Sequence, residues 1–146
     1  MNAKKWFPFP ELNVPCADIS FAWSSEQGAS LVVLMHFSRV LNGVDKDLEI
    51  VFPRPLALQW EDESFGLIPS PATLPKCSNA EFLIYTHPTL VIEDSPWAEA
   101  YASRKYSEGD PALKNVVHYF LVSMNELVHV LAEANPDARW VASADA

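Results

Sequence analysis

Four histidines, His36, His87, His118 and His129, are the only imidazoles in the chain. No two of them stand at the helical or close strand spacing of zinc ligands, so the sequence indicates no metal site. Carboxylates gather at Glu61, Asp62 and Glu63 and again at Glu93 and Asp94. Such a pair does acid–base work when one member is desolvated in a pocket. Neighbours on a strand point to opposite faces, however, so adjacency alone favours a solvated turn. His129, with Glu126 and Glu133, reads in the same way, as one exposed helix face with ion-pair character.

Nucleophile motifs are missing. The chain holds four glycines, Gly28, Gly43, Gly66 and Gly109, which build neither a Gly-x-Ser-x-Gly elbow nor a phosphate-cradling loop. Cys16 and Cys77 form no CxxC pair and no disulfide framework, and read as free thiols in a reducing compartment. No catalytic residue, metal or cofactor is assigned on these grounds. Aromatics carry the remaining signal: eight Phe, five Trp and four Tyr exceed what one small core needs. Trp23, Trp60, Tyr85, Trp97, Tyr101 and Tyr106 are therefore candidates for an apolar groove that anchors a partner. Glu61, Asp62, Glu63, Trp97, Tyr101 and His118 form the resulting candidate binding set.

The elements that must position these groups are strands in the first two thirds of the chain. Residues 1–17 read as irregular, because Pro8, Pro10 and Pro15 fix their own backbone angles and bias the residue before each. Leu31 to Leu41 is apolar on both alternating faces, as in a buried strand, and Asn42-Gly43 then signals a hairpin. Leu48, Ile50, Phe52, Leu56, Leu58 and Trp60 share one parity, with Pro53 and Pro55 breaking the run near Arg54. Phe65 to Ile68 is a brief strand candidate, and Phe82 to Glu93 a longer one interrupted at His87-Pro88.

Two helices are expected after that. Ser95-Pro96-Trp97 has the grammar of a helix start, with Ser as the N-cap, Pro at the first helical position and Glu99 in the first turn. Val116 to Val122 reads as a strand. Ser123-Met124-Asn125-Glu126 then reads as a capping box opening a helix with a Leu127, Val130, Leu131, Ala134 stripe that ends at Asn135-Pro136. Ala138 to Ser143 closes as a short strand with Trp140 turned inward. The order of elements predicts a single α+β domain over 1–146: a curved, mainly antiparallel sheet, open or closed partway into a barrel, with two helices packed on it.

Length and charge bound the rest. A chain of 146 residues buries about 68% of its unfolded surface, enough for one core. Nineteen acidic against ten basic side chains give a formal charge of −9, which repels phosphate backbones and anionic membranes and attracts basic partners. No nucleic-acid or membrane partner is expected, and self-association through a strand edge stays open. Met1 to Pro10 holds no apolar run of signal-peptide or membrane-span length, which leads to the expectation of a cytoplasmic protein.

The stretches EDSPWAEAY at Glu93 to Tyr101, HYFLVSMNELVHVLA at His118 to Ala132 and ARW at Ala138 to Trp140 resemble small bacterial domains, among them immunity-type proteins that neutralise secreted toxins. The resemblance covers the last third of the chain and implies a bacterial, non-catalytic binding protein; it assigns no residue a role. The function expected is thus an accessory, immunity-like domain whose acidic surface engages a basic protein. The alternative is a small-ligand binder or hydrolase with a pocket between the sheet and the Trp97 helix, using His118 or His87.

Overall fold

A computed structural model of the chain describes residues 2–6, 12, 14–25, 29–37, 46–62, 76–77, 87–105 and 115–143. Ten strands and one ten-residue helix occur among them. The strands are β1 (Asn2–Lys5), β2 (Asp18–Ser24), β3 (Ser30–Phe37), β4 (Lys46–Pro53), β5 (Ala57–Asp62), β6 (Lys76–Cys77), β7 (Thr89–Glu93), β8 (Val117–Val122), β9 (Glu126–Ala132) and β10 (Asp137–Ala142). The helix, α1, spans Pro96–Lys105. They form a six-stranded sheet ordered β5-β9-β8-β7-β1-β6 and a four-stranded sheet ordered β10-β4-β3-β2. All pairings are antiparallel except β1 with β6. The expected α+β fold with two packed helices is therefore corrected to a largely β structure in two sheets.

The two sheets share a core. Ile19, Leu31, Val33, Met35, Leu48, Ile50 and Phe52 from the smaller sheet meet Tyr119, Leu121, Val128, Val130 and Ala132 from the larger one. Tyr119 fixes the contact between layers, its ring packed edge-on against Phe52 and Trp6 at 5.2 Å in each case. The alternation of β4 is what the sequence predicts, with Leu48, Ile50 and Phe52 all fully buried. The expected break follows it: Arg54 has φ 47°, a left-handed backbone that turns the chain out of one sheet and into the other as β5. Pairing of β4 with β10 stops at Val51, so Pro53 lies beyond the ladder that its missing N–H would have interrupted.

The second helix is where the expectation fails. Glu126–Ala132 is a strand, paired with β8 on one side and β5 on the other. Ser123 and Glu126 do find each other, but across a hairpin turn. The Ser123 hydroxyl donates to Glu126 Oε2 at 2.5 Å and accepts the Glu126 amide at 2.8 Å, while Ser123 N–H bonds Glu126 O at 2.9 Å. A serine three residues before a glutamate satisfies local amides in either setting, so the motif does not choose between them. Burial does: Val128, Val130 and Ala132 face the core while Leu127 and Leu131 are buried on the opposite face. Such a doubly covered strand carries a continuous apolar run that mimics a helical stripe.

The N-terminus is also corrected. Asn2–Lys5 is a strand inside the larger sheet, between β7 and β6, with Ala3 fully buried. The predicted Asn42-Gly43 turn and the Phe65 to Ile68 strand fall outside the described residues, although β3 and β4 pair antiparallel as the hairpin requires. None of the described helices is long and apolar enough to cross a membrane.

The β8–β9 turn also ties the layers together, because Glu126 Oε2 accepts the Ile19 amide of β2 at 3.0 Å and Cys16 O accepts the Met124 amide at 2.9 Å. Glu126→Ala removes the shared acceptor of two donors, and urea unfolding is expected to show a loss of about 1–3 kcal/mol. A loss indistinguishable from that of an exposed Glu→Ala control would show that the turn does not hold the layers.

Candidate functional site

The larger sheet has a second covered face, and chemistry collects there. Leu90 and Ile92 of β7, Phe120 and Val122 of β8, and Leu127 of β9 form a smaller apolar cluster with Ala3. Strand alternation places His118 and His129 on that same face, since His118 lies opposite Leu131 and Phe120 opposite His129. The two imidazoles are thus diagonal neighbours across an antiparallel pair. Helix α1 supplies the other wall. Asp94, with φ 52°, turns the chain from β7 into the helix in one residue, and Ser95 caps it by accepting the Ala98 amide on Oγ at 3.2 Å.

These pieces join in one hydrogen-bonded line. Ser95 Oγ lies 2.6 Å from His118 Nδ1, and His118 Nε2 lies 2.8 Å from His129 Nδ1. With Oγ already accepting from Ala98, the buried hydroxyl hydrogen is satisfied by donating to Nδ1. That leaves the His118 proton on Nε2, donated to His129 Nδ1, and the His129 proton on its outer nitrogen. Aromatic rings hold the imidazoles in place. Phe120 stacks on His129 at 4.3 Å and 11°, and the Trp97 ring meets His118 edge-on at 5.2 Å and His129 at 6.3 Å.

Burial sets the charge state. Loss of water pushes His118 down to about 3, aided by its histidine neighbour, and pushes His129 down to about 4. Both imidazoles are uncharged at neutral pH. Beside Ser95 opens a cleft of about 570 Å³, with Ile92, Ala98, Val116 and Val117 as apolar walls. Glu93, Asp94 and Glu99 line it too, Glu93 being paired with Lys4 at 2.6 Å.

The candidate residues are thus partly assembled. Trp97 and His118 come together in the cluster. Tyr101, one turn further along the helix, carries the Arg104 guanidinium 5.8 Å from its ring centre. Glu61 accepts a hydrogen bond from Gln59 at 3.0 Å, and Gln59 stands opposite His129 in the β5–β9 register. Asp62 stands opposite Glu126 in the same register, and Glu63 lies outside the described residues. Sequence reasoning missed Ser95, read only as a cap, and His129, read as a solvated helix face. Treating 123–126 as a hairpin turn would have found both histidines on one face. His87 is buried elsewhere, its pKa lowered by lost hydration and by Lys5.

A second histidine site lies on the far side of the smaller sheet. There His36 Nδ1 contacts Asp47 Oδ1 at 2.7 Å, with Ser143 Oγ 3.5 Å from the same nitrogen. Cys16 is buried, its thiol donating to the carbonyls of Asp18 and His36, and desolvation pushes its pKa up. It is an inert thiol in this setting.

Aromatic side chains mark the edges of the sandwich. Trp23 is 59% exposed, Trp60 46%, Trp140 39% and Phe21 37%. Each lies opposite a fully buried residue of the core: Trp23 and Phe21 opposite Leu31 and Val33, Trp60 opposite Val128, and Trp140 opposite Leu48. The apolar layer between the sheets therefore runs past the covered core on β2, β5 and β10.

Because His118 and His129 take up protons in the unfolded chain near pH 6.5 but resist them when folded, stability falls as pH drops from 6.5 towards 4. Urea unfolding between pH 7 and 4.5 is expected to show this slope, and a His118→Gln, His129→Gln double variant to flatten it. An unchanged slope in the double variant would mean that the pair is not held neutral. No family model, curated protein or solved structure matches this chain.

Proposed function

We propose that this chain is a protein-binding domain that docks a basic partner through the aromatic edges of its two sheets. The observation that carries the reading is the exposure of Trp23, Trp60, Trp140 and Phe21 in continuation of the buried inter-sheet layer. Large aromatics are the side chains that contribute most on burial at an interface, and an apolar strip at a sheet edge is costly to leave in water. Edge strands also present unpaired backbone groups on which a partner strand can pair.

Charge selects the class of partner. A formal −9 favours a basic protein over an acidic one and accelerates the encounter. The resemblance of the last third of the chain to immunity-type domains supports the same reading, with a basic toxin as the partner class and a bacterial, cytoplasmic setting.

The test is affinity capture from lysate, in low and high salt, comparing the native chain with a Trp23→Ala, Trp60→Ala double variant. A basic protein held by the native chain, lost in high salt and captured at least tenfold less by the variant at low salt, is the expected result. Capture that the two substitutions leave intact would exclude the aromatic edges. Recovery of a second copy of the chain alone would replace the basic partner with self-association.

A further inference from the structure

We propose that Ser95 is an acyl-accepting nucleophile served by His118 and His129, and that the cleft beside it takes an uncharged or cationic carboxylic ester. The inference is independent of the protein-binding reading. It rests on the unbroken line from Ser95 Oγ to His118, 2.6 Å, and from His118 to His129, 2.8 Å, together with the position of Ser95 in the wall of a 570 Å³ cleft. A hydroxyl, a base within hydrogen-bond reach and a third group orienting that base make the arrangement of an activated nucleophile. The cleft volume lies in the range of small-molecule sites.

The chemistry balances with these groups and water. Ser95 Oγ bonds to the ester carbonyl carbon as its proton passes to His118 Nδ1. The carbon–oxygen bond to the alcohol then breaks, and the departing oxygen takes that proton. Water repeats the sequence on the acyl-serine, releasing the acid and restoring the hydroxyl. The orienting histidine has a definite job here. It accepts from His118 Nε2, so that a proton arriving at Nδ1 is matched by one moving outward to His129 Nδ1, and positive charge is shared between the two rings.

Electrostatics at both ends fits this use. Burial keeps both imidazoles uncharged at neutral pH, so His118 Nδ1 is available to accept from Ser95, while the same loss of water makes each ring a weak base and the proton transfer from Ser95 the costly step. In the first helical turn, Pro96 has no N–H, the Ala98 amide bonds Ser95 Oγ and the Glu99 amide bonds Ser95 O. That leaves the Trp97 amide as the turn's donor for a developing oxyanion. Glu93, Asp94 and Glu99 along the cleft disfavour carboxylate- or phosphate-bearing esters, which is why the substrate class is uncharged or cationic.

An alkyl fluorophosphonate tests the site, because its phosphorus bonds to an activated serine oxygen as fluoride leaves. The native protein is expected to gain the mass of one phosphonyl group, located on Ser95 by peptide mapping, with none on the urea-unfolded chain. His118→Gln is expected to slow labelling at least tenfold, and Ser95→Asn, which keeps a capping oxygen for the Ala98 amide, to abolish it. The labelling rate is expected to hold as pH falls through 6.5. An adduct mapped to another hydroxyl, no adduct on the folded native protein, or an unchanged rate in the His118 variant would overturn the proposal.

Discussion

The larger sheet is covered on both faces, and most of the structure follows from that constraint. β8 and β9 must present apolar side chains in both directions, to the smaller sheet through Tyr119, Leu121, Val128 and Val130, and to the helix side through Phe120, Val122 and Leu127. A strand in this position cannot alternate between apolar and polar residues as a half-wet strand does. Its polar residues must be satisfied where they lie, without water. On the face towards the helix these are His118 and His129, and the hydrogen-bonded line through Ser95 satisfies them.

The same line locks the helix to the sheet. Helix α1 is short, and at ten residues it gains little from propensity alone, so tertiary contacts must hold it. Ser95 has two tasks at once: its oxygen closes the first turn of the helix and its hydrogen reaches the sheet. Trp97, two residues on, lays its ring against both imidazoles. Protonating the pair would place charge between Phe120 and Trp97, which is why burial holds both rings neutral. Stability of this layer and availability of a proton acceptor in it have one cause.

Much of this is legible in the residues, and the failures have physical reasons. The parity of Leu48, Ile50 and Phe52 is readable because one face of β4 is core and the other carries Asp47 and Glu49. The helix start at Ser95-Pro96 is readable because few settings favour serine followed by proline and an acidic first turn. Ser123 to Glu126 is ambiguous, because a hydroxyl and a carboxylate three residues apart cap a helix or close a hairpin with equal ease. β9 then fails by periodicity, since an apolar run buried on both faces matches the period of 2 and the period of 3.6 together. β1 is hidden by the prolines that follow it. The histidine pair is invisible while β9 is read as a helix, because eleven residues of separation acquire meaning only through the hairpin register.

The aromatic edges follow a different logic from the histidine line. Sheet twist splays the corners of packed sheets, and some inner-face positions on β2 and β10 must emerge there. Twist explains an exposed position but not its residue, because a threonine or a lysine stem covers a splayed corner at less cost than indole. Phe21 and Trp23 stand two apart on one edge strand, on the face that continues the core, with Ile19 buried just before them. A polar choice at either position would end the apolar layer at the last covered residue. Instead the layer is carried outward on three edge strands, by Phe21 and Trp23 on β2, Trp60 on β5 and Trp140 on β10.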